Sequence, residues 1–134
     1  TKSEFVLQEI ANKTKLTYVY DKEKDSVSKL TMEIVYDITK DERYTEAARS
    51  QRDEVVAEME GIEGVTYTKK DDINYITLTI EVDVNKFKFD DAASRKKAPT
   101  LYNTVNAALK RKDNMVSYQL SKDAILEYEF KEVK

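Results

Sequence analysis

The stretch ITLTIEVDVNKFKFDD, residues 76–91, alternates apolar and polar side chains over its first ten positions. Successive side chains of a β-strand point to opposite faces, so this period of two indicates a strand with one apolar and one polar face. Burying one aliphatic side chain of this kind is worth about 1.5–3 kcal/mol. We therefore predict that the apolar row packs as core beneath helices and does not line a ligand pocket. Its members are Ile76, Leu78, Ile80, Val82 and Val84.

The segments around this strand predict two β-hairpins. Residues 16–20 and 30–38 show the same alternation and are joined by a polar turn at residues 21–26. Residues 65–67 precede the charged turn KKDD, and the strand quoted above follows that turn. Alternating segments separated by polar turn residues are typical of hairpins.

Helical periodicity replaces the alternation between the two hairpins. Thr39-x-x-Glu42 has the form of a capping box, in which both side chains satisfy free amides at a helix start. An amphipathic helix requires apolar residues on one stripe. Here the stripe consists of Tyr44, Ala48, Val55, Met59 and Ile62.

Two shorter helices are predicted in the C-terminal third of the chain. Pro99 suits the first turn of a helix whose apolar residues include Leu101 and Val105. Ser121 is the expected cap of a last helix that turns Ile125 and Tyr128 inward. Residues 90–99, DDAASRKKAP, have the composition of a mobile loop.

The predicted order is two strands, a helix, two strands and then two helices. This order favours an α+β domain. We predict a single domain over residues 1–134, built as an antiparallel sheet of about five strands with helices packed on one face. A chain of this length can bury roughly two-thirds of its unfolded surface. It therefore needs no disulfide or metal for stability.

Composition excludes several kinds of chemistry. The chain has no cysteine and no histidine, so thiolate nucleophiles, zinc–thiolate sites and imidazole proton shuttles are absent. Charged residues make up 37% of the chain, but the net charge is only −3. This balance argues against a nucleic-acid partner, because proteins that bind nucleic acids are strongly basic. The apolar runs are also too short to span a membrane.

The remaining catalytic residue types fall in turns and loops. Ser-x-x-Lys occurs at Ser26 and at Ser94, without the accompanying motifs of serine–lysine enzymes. Paired carboxylates occur at residues 71–72 and 90–91, where aspartate is suited to turn formation and helix capping. We therefore predict no catalytic, cofactor-binding or metal-ligating residue, and no enzyme activity.

Two surfaces remain as candidates for binding. The first is the polar face of the sheet, where an exposed tyrosine stands beside a polar row: Tyr75, Thr77, Thr79 and Glu81. The second is a pair of basic clusters that could contact anionic lipid headgroups or polymers at about 1 kcal/mol per nearby charge. These clusters are Arg95, Lys96 and Lys97, and Lys110, Arg111 and Lys112. Solvation of the clusters and the strand preference of tyrosine are the simpler interpretations of both surfaces.

Three segments resemble the YehR-like family of small bacterial lipoproteins. They are TYVYDKEK at residues 17–24, GVTYTKKDDINYITLTIEVDVNKF at 64–87 and FKEVK at 130–134. The resemblance implies a signal peptide, a lipidated cysteine upstream of residue 1 and an extracytoplasmic domain anchored to the cell membrane. It implies no activity and no site residues. This sequence departs from the family at Glu129, where members tend to have glycine, and in a longer segment at residues 90–114.

The resulting expectation is a noncatalytic lipoprotein domain that binds or supports an unknown component of the bacterial cell envelope. The alternative is a module that binds a small ligand or a cell-wall glycan with the sheet face around Tyr75.

Overall fold

The computed structural model describes all 134 residues. It contains eight strands and four helices. In chain order they are β1 (Lys2–Gln8), β2 (Asn12–Asp21), β3 (Ser26–Asp37), α1 (Glu42–Met59), β4 (Val65–Asp71), β5 (Tyr75–Asp83), α2 (Ala92–Lys97), α3 (Pro99–Ala108), β6 (Lys110–Lys112), β7 (Met115–Ser117), α4 (Tyr118–Glu127) and β8 (Lys131–Val133).

The strands form one antiparallel sheet in the order β4-β5-β3-β2-β1-β8, and the fold class is α+β as predicted. The count of about five strands is too low. The additional strands β6, β7 and β8 have three residues each. β7 meets β3 only at the pair Ser117–Ser26, and β6 pairs with β7 alone. Three residues are too few to show a period of two, so long-range pairing alone defines these strands.

The apolar row of β5 is buried. Ile76, Leu78 and Val82 are fully inaccessible, and Ile80 is 2% exposed. Ile80 lies opposite Met32 of β3 on one side and Tyr67 of β4 on the other. The predicted division of this strand into an inner and an outer face is therefore confirmed.

Helix α1 begins at Glu42, and its cap is Asp41 instead of the predicted Thr39. The Asp41 side chain accepts a hydrogen bond from the Arg43 amide at 2.9 Å and caps the helix. Thr39 is not the cap, because its hydroxyl and its amide both donate to the Asp37 carboxylate. The buried stripe is also shifted relative to the predicted one, since it contains Val56 where we expected Val55. Its members are Ala48, Arg52, Val56 and Met59.

The segment expected to be a mobile loop contains α2, which is capped by the Asp91 carboxylate. α3 begins at Pro99 as predicted and buries Leu101 and Val105. No helix of the protein has the length and apolar composition needed to cross a membrane.

The cap of helix α4 lies four residues earlier than the predicted one. Ser117 caps it by accepting a hydrogen bond from the Leu120 amide at 3.1 Å. Ser121 is instead buried inside the helix, where its hydroxyl donates to the Ser117 carbonyl at 2.6 Å. Tyr128, expected inside, is 58% exposed at the helix end.

Candidate functional site

An apolar groove lies between the inner face of the sheet and the helices α3 and α4. Its volume is about 450 Å³, and nine of its twelve lining residues are hydrophobic. Strands β1, β2 and β3 form the floor through Leu7, Thr14, Leu16, Met32 and Ile34. The two walls come from α3 (Asn103, Thr104, Ala107 and Ala108) and from the end of the chain (Ile125, Tyr128 and Phe130).

The groove exists because the helices leave part of the sheet uncovered. α1 contacts β4 and β5, whereas α3 packs against both α1 and α4. At the C-terminal end of α3, Ala107 and Ala108 have small side chains that leave space above the floor. Ile34 and Leu7 are consequently only half-buried, although they lie on the same face as the core.

The groove offers few hydrogen-bonding groups. No charged residue lines it, and its polar side-chain groups are those of Thr14, Asn103 and Thr104 and the hydroxyl of Tyr128. The Thr104 hydroxyl already donates to the Thr100 carbonyl at 2.9 Å. The floor strands β2 and β3 are paired on both sides, so their backbone groups are used within the sheet. A ligand in the groove must therefore itself be apolar, because an unpaired polar group would lose its hydrogen bonds to water.

Residues Tyr75, Thr77, Thr79 and Glu81 lie on the sheet face that carries no helix, which we call the outer sheet face. Tyr75 is 44% exposed, whereas Thr77 and Thr79 are half-buried between neighbouring strands. The Glu81 carboxylate pairs with the Lys29 ammonium at 3.2 Å. None of these four residues lines the apolar groove, and none lines four other surface depressions of the protein.

The two basic clusters differ in how far they are paired. Arg95, Lys96 and Lys97 form the last turn of α2, and none of them is in an ion pair. Arg111, in contrast, makes a two-pronged contact with the Asp90 carboxylate at 2.7 and 2.9 Å. Its guanidinium also lies 5.0 Å from the centre of the Phe89 ring. Hydrogen bonding to Arg111 holds the pKa of Asp90 below its usual range.

The paired carboxylates have separate structural partners. Asp71 is bound by the buried guanidinium of Arg52, which lowers the pKa of Asp71, whereas Asp72 accepts amides within its own turn. Asp91 accepts the hydroxyl and the amide of Ser94. Ser94 is the serine of the second Ser-x-x-Lys match, so its hydroxyl is already engaged by Asp91. The structure therefore brings none of these groups together as a reaction centre.

Sequence reasoning missed the apolar groove. The alternation along β2 and β3 places Leu16, Met32 and Ile34 on the apolar face of the sheet, but nothing in the sequence indicates that the helices fail to cover them. The walls come from residues 103–130, which are remote in sequence from the floor.

No protein-family model and no curated protein matches this sequence. The fold is similar to the NMR structure of the E. coli YehR protein, with a TM-score of 0.73 and 20% identity over 99% of this chain and 90% of that chain. It is also similar to the NMR structure of a protein from Streptococcus pneumoniae TIGR4, with a TM-score of 0.61 and 11% identity over 99% of this chain and 84% of that chain. The chain thus has a YehR-like fold.

Proposed function

We propose that this protein is a noncatalytic binding domain of the bacterial cell envelope, and that its apolar groove holds one acyl chain or a similar linear apolar ligand. The observation that carries the proposal is the lining of the groove, which is uncharged and three-quarters hydrophobic. Its volume of about 450 Å³ lies within the roughly 300–1,000 Å³ of small-molecule sites.

An acyl chain fits this groove better than a peptide does. A peptide backbone carries an amide and a carbonyl at each residue. Burying either group without a hydrogen-bond partner costs free energy. The floor strands β2 and β3 are paired on both sides, and the polar side-chain groups without a hydrogen bond in the protein are those of Thr14 and Asn103 and the Tyr128 hydroxyl. An acyl chain requires no such partners.

The location at the cell envelope rests on the resemblance to YehR-like lipoproteins and is supported by the YehR-like fold. In this proposal a lipidated cysteine upstream of residue 1 anchors the domain to the outside of the cell membrane. The sequence encoded upstream of residue 1 tests this anchor. We expect a hydrophobic run that ends in small residues and a cysteine, and an upstream sequence without them would contradict the anchor.

The outer sheet face is the weaker candidate for ligand binding. It presents Tyr75 as a single exposed aromatic ring, and Glu81 is engaged by Lys29. Carbohydrate and small-ligand sites are concave, whereas the concave site richest in apolar residues is on the opposite face of the sheet.

The groove is tested by titrating the protein with saturated fatty acids of increasing length. Each buried methylene contributes about 0.8 kcal/mol, so two further methylenes should lower Kd about tenfold until the groove is full. Ala107→Trp fills the groove and should abolish binding. Ala47→Trp, at an exposed position of α1, is the matched control and should bind like the wild type.

Affinity that does not change with chain length would overturn the proposal, as would equal binding by the two tryptophan variants. A thermal-shift screen against wall glycans and divalent ions covers the alternative. A shift that Tyr75→Ala abolishes and Ala107→Trp leaves intact would place binding on the outer sheet face.

A further inference from the structure

A second, polar depression adjoins the apolar groove across helix α3. Its volume is about 330 Å³, and it lies between α2 and α3. Arg95 and Lys96 of α2 line it on one side, and Asn103 and Asn106 of α3 line it on the other. We call it the basic depression, because its lining contains two cations and no acidic residue.

Asn103 is the residue that the basic depression and the groove share. Successive residues of an α-helix are rotated by about 100°. One turn further along α3, Asn106 therefore lies on one side of Asn103 and Ala107 lies on the other. Asn106 lines the basic depression, and Ala107 lines the groove. Because Asn103 is itself exposed, it forms an open ridge over which a ligand can extend from the groove into the basic depression.

The polar side chains of the basic depression have no partners within the protein. Arg95 and Lys96 are exposed and form no ion pair. The side-chain amides of Asn103 and Asn106 make no hydrogen bond to another residue. Guanidinium, ammonium and amide groups are the donors that bind carboxylate and phosphate oxygens. The depression thus combines two free positive charges with two free carboxamides, a set that suits an anion.

The acids close to the basic depression are engaged by other groups. The Asp91 carboxylate caps α2, and the Asp90 carboxylate binds the Arg111 guanidinium. Glu58 of α1 accepts the Thr100 hydroxyl at 3.1 Å. None of these three acids lines the depression. A ligand there consequently meets the two cations without a carboxylate in the same lining.

Other cations near the groove are less suited to hold an anionic group. Lys122 of α4 is paired with Glu132 at 3.2 Å. Lys13 and Lys15 alternate with the floor residues of β2, so their side chains leave the outer sheet face. The two cations of the basic depression are unpaired and adjoin the groove on the side of the sheet that carries the helices.

We propose that the ligand of the groove is a single-chain amphiphile with an anionic headgroup, which is a carboxylate or a phosphate. The acyl chain lies on the apolar floor of the groove, and the headgroup crosses Asn103 to reach Arg95 and Lys96. This inference rests on the proposed function, because it adds a headgroup to the acyl chain proposed for the groove. The charge of the basic depression and the apolar lining of the groove then serve the two ends of one ligand.

Ligands with the same chain and different headgroups test the inference. Near neutral pH, dodecanoate and dodecyl phosphate are anionic, dodecanol is uncharged and dodecylamine is cationic. We expect both anions to bind about tenfold more tightly than dodecanol, and dodecylamine to bind more weakly than dodecanol. High salt should reduce the preference for the anions, because both cations are exposed. The tighter of the two anions identifies the headgroup.

Neighbouring residues of α2 provide matched variants. Arg95→Gln and Lys96→Gln should each weaken the binding of dodecanoate about threefold and leave that of dodecanol unchanged. Lys96→Arg keeps the charge and should bind like the wild type. Lys97→Gln is the control, because Lys97 lines neither depression and its ammonium lies beside Gly61. All three positions are exposed, so the variants should melt like the wild type.

Three results would overturn the inference. The first is equal affinity for dodecanol and dodecanoate, which would leave the groove as a site for an apolar chain alone. The second is an equal loss of affinity in Lys97→Gln and Lys96→Gln, which would indicate a general effect of net charge. The third is a preference for anions that persists when Arg95 and Lys96 are both replaced by glutamine. The proposed function fails on a different measurement, the dependence of affinity on chain length, so the two failures can be distinguished.

Discussion

Ile80 lies at the middle of the sheet, between Met32 on one neighbouring strand and Tyr67 on the other. Its side chain is 2% exposed, whereas Thr77, on the same strand, faces the outer sheet face and lies opposite Lys70. The contrast between two residues three positions apart follows from the period of two alone. A charged residue should therefore be tolerated on the outer face of β5 and not on its inner face.

We predict that Ile80→Asp prevents folding or lowers the thermal midpoint by tens of degrees. The substitution removes about 1.5–3 kcal/mol of burial and places an unpaired carboxylate in the core. The combined loss is a large part of the roughly 5–15 kcal/mol that stabilises a domain. Circular dichroism melting provides the measurement. Thr77→Asp, which gains a neighbouring lysine, is the control and should melt close to the wild type.

Cap residues were harder to predict than buried ones at this scale. Thr39 and Asp41 both precede α1. Ser117 directly precedes α4, and Ser121 lies in its first turn. Each has a side chain that can accept an amide, so the sequence offers several caps within a few residues. Which of them acts is decided by competing contacts, such as the donation of Thr39 to Asp37.

At the scale of elements, the end of α4 places Glu129 at a position that favours glycine. The Phe130 amide donates to the Ile125 carbonyl and the Glu129 amide to the Leu126 carbonyl. This pair of bonds is the Schellman motif, in which the residue after the cap adopts a left-handed conformation. Glu129 accordingly has φ = +71°. Glutamate occupies a position that glycine would occupy without strain.

We predict that Glu129→Gly stabilises the protein by about 0.5–1 kcal/mol, because it relieves the left-handed strain of a non-glycine residue. Glu127→Gly is the matched control: it deletes the same side chain two residues earlier, inside α4, and should destabilise by about 0.5–1 kcal/mol. Urea denaturation of both variants measures the difference. Destabilisation by both would show that the side chain of Glu129 matters more than its backbone conformation.

The long elements could be predicted from sequence, and the short ones could not. The strands β2, β3 and β5, of nine or more residues, show the alternation clearly, as does the helical period of α1. Helix α2 has six residues and no buried side chain, so it has no apolar stripe to reveal it. β8 is a strand because it meets β1 at residues 4–6, more than 120 positions away in sequence. Pairing over that distance is a property of the tertiary fold.

At the scale of the whole molecule, the two ends of the sheet differ in chemistry. One end has the β1–β2 and β4–β5 turns, with the exposed Ile10 and Ile73, and lies beside the groove residues Leu7 and Ile34. The other has the β6–β7 hairpin, where Arg111 is engaged by Asp90. This polarity follows from topology, since antiparallel pairing places the β1–β2 and β4–β5 turns together. The alternation predicted both turns, but only the strand order shows that they are neighbours.

The pH dependence of stability is also a property of the whole chain, because no histidine or cysteine side chain titrates near neutrality. Among the aspartates, hydrogen bonding to Ser117 lowers the pKa of Asp25, and Arg52 lowers the pKa of Asp71. A carboxyl whose pKa is depressed by folding contributes stability above its unfolded value, near 3.8, and loses it as the pH falls through the folded value. At the basic end, burial raises the pKa of Tyr118 from 10.0 to about 12. The stability contributed by this phenol is complete below pH 10.0 and is lost as the pH rises through about 12.

We therefore predict a flat plateau of stability from about pH 5 to 9, with losses on the acid side from about pH 4 downward and on the basic side above about pH 10. Asp25→Asn isolates one contributor. Asparagine tolerates the left-handed backbone at this position, where φ is +51°. It removes the charge and leaves one acceptor oxygen for the two groups that Asp25 binds, the Ser117 hydroxyl and the Gln119 amide. At pH 7 the variant should be less stable by about 1 kcal/mol, since the site is partly exposed. As the pH falls through the lowered pKa of Asp25, the wild-type carboxyl becomes protonated and the difference should shrink toward zero. Urea midpoints at pH 7 and at a series of acidic pH values measure this, and a gap that keeps its size throughout would show that the contact does not depend on charge.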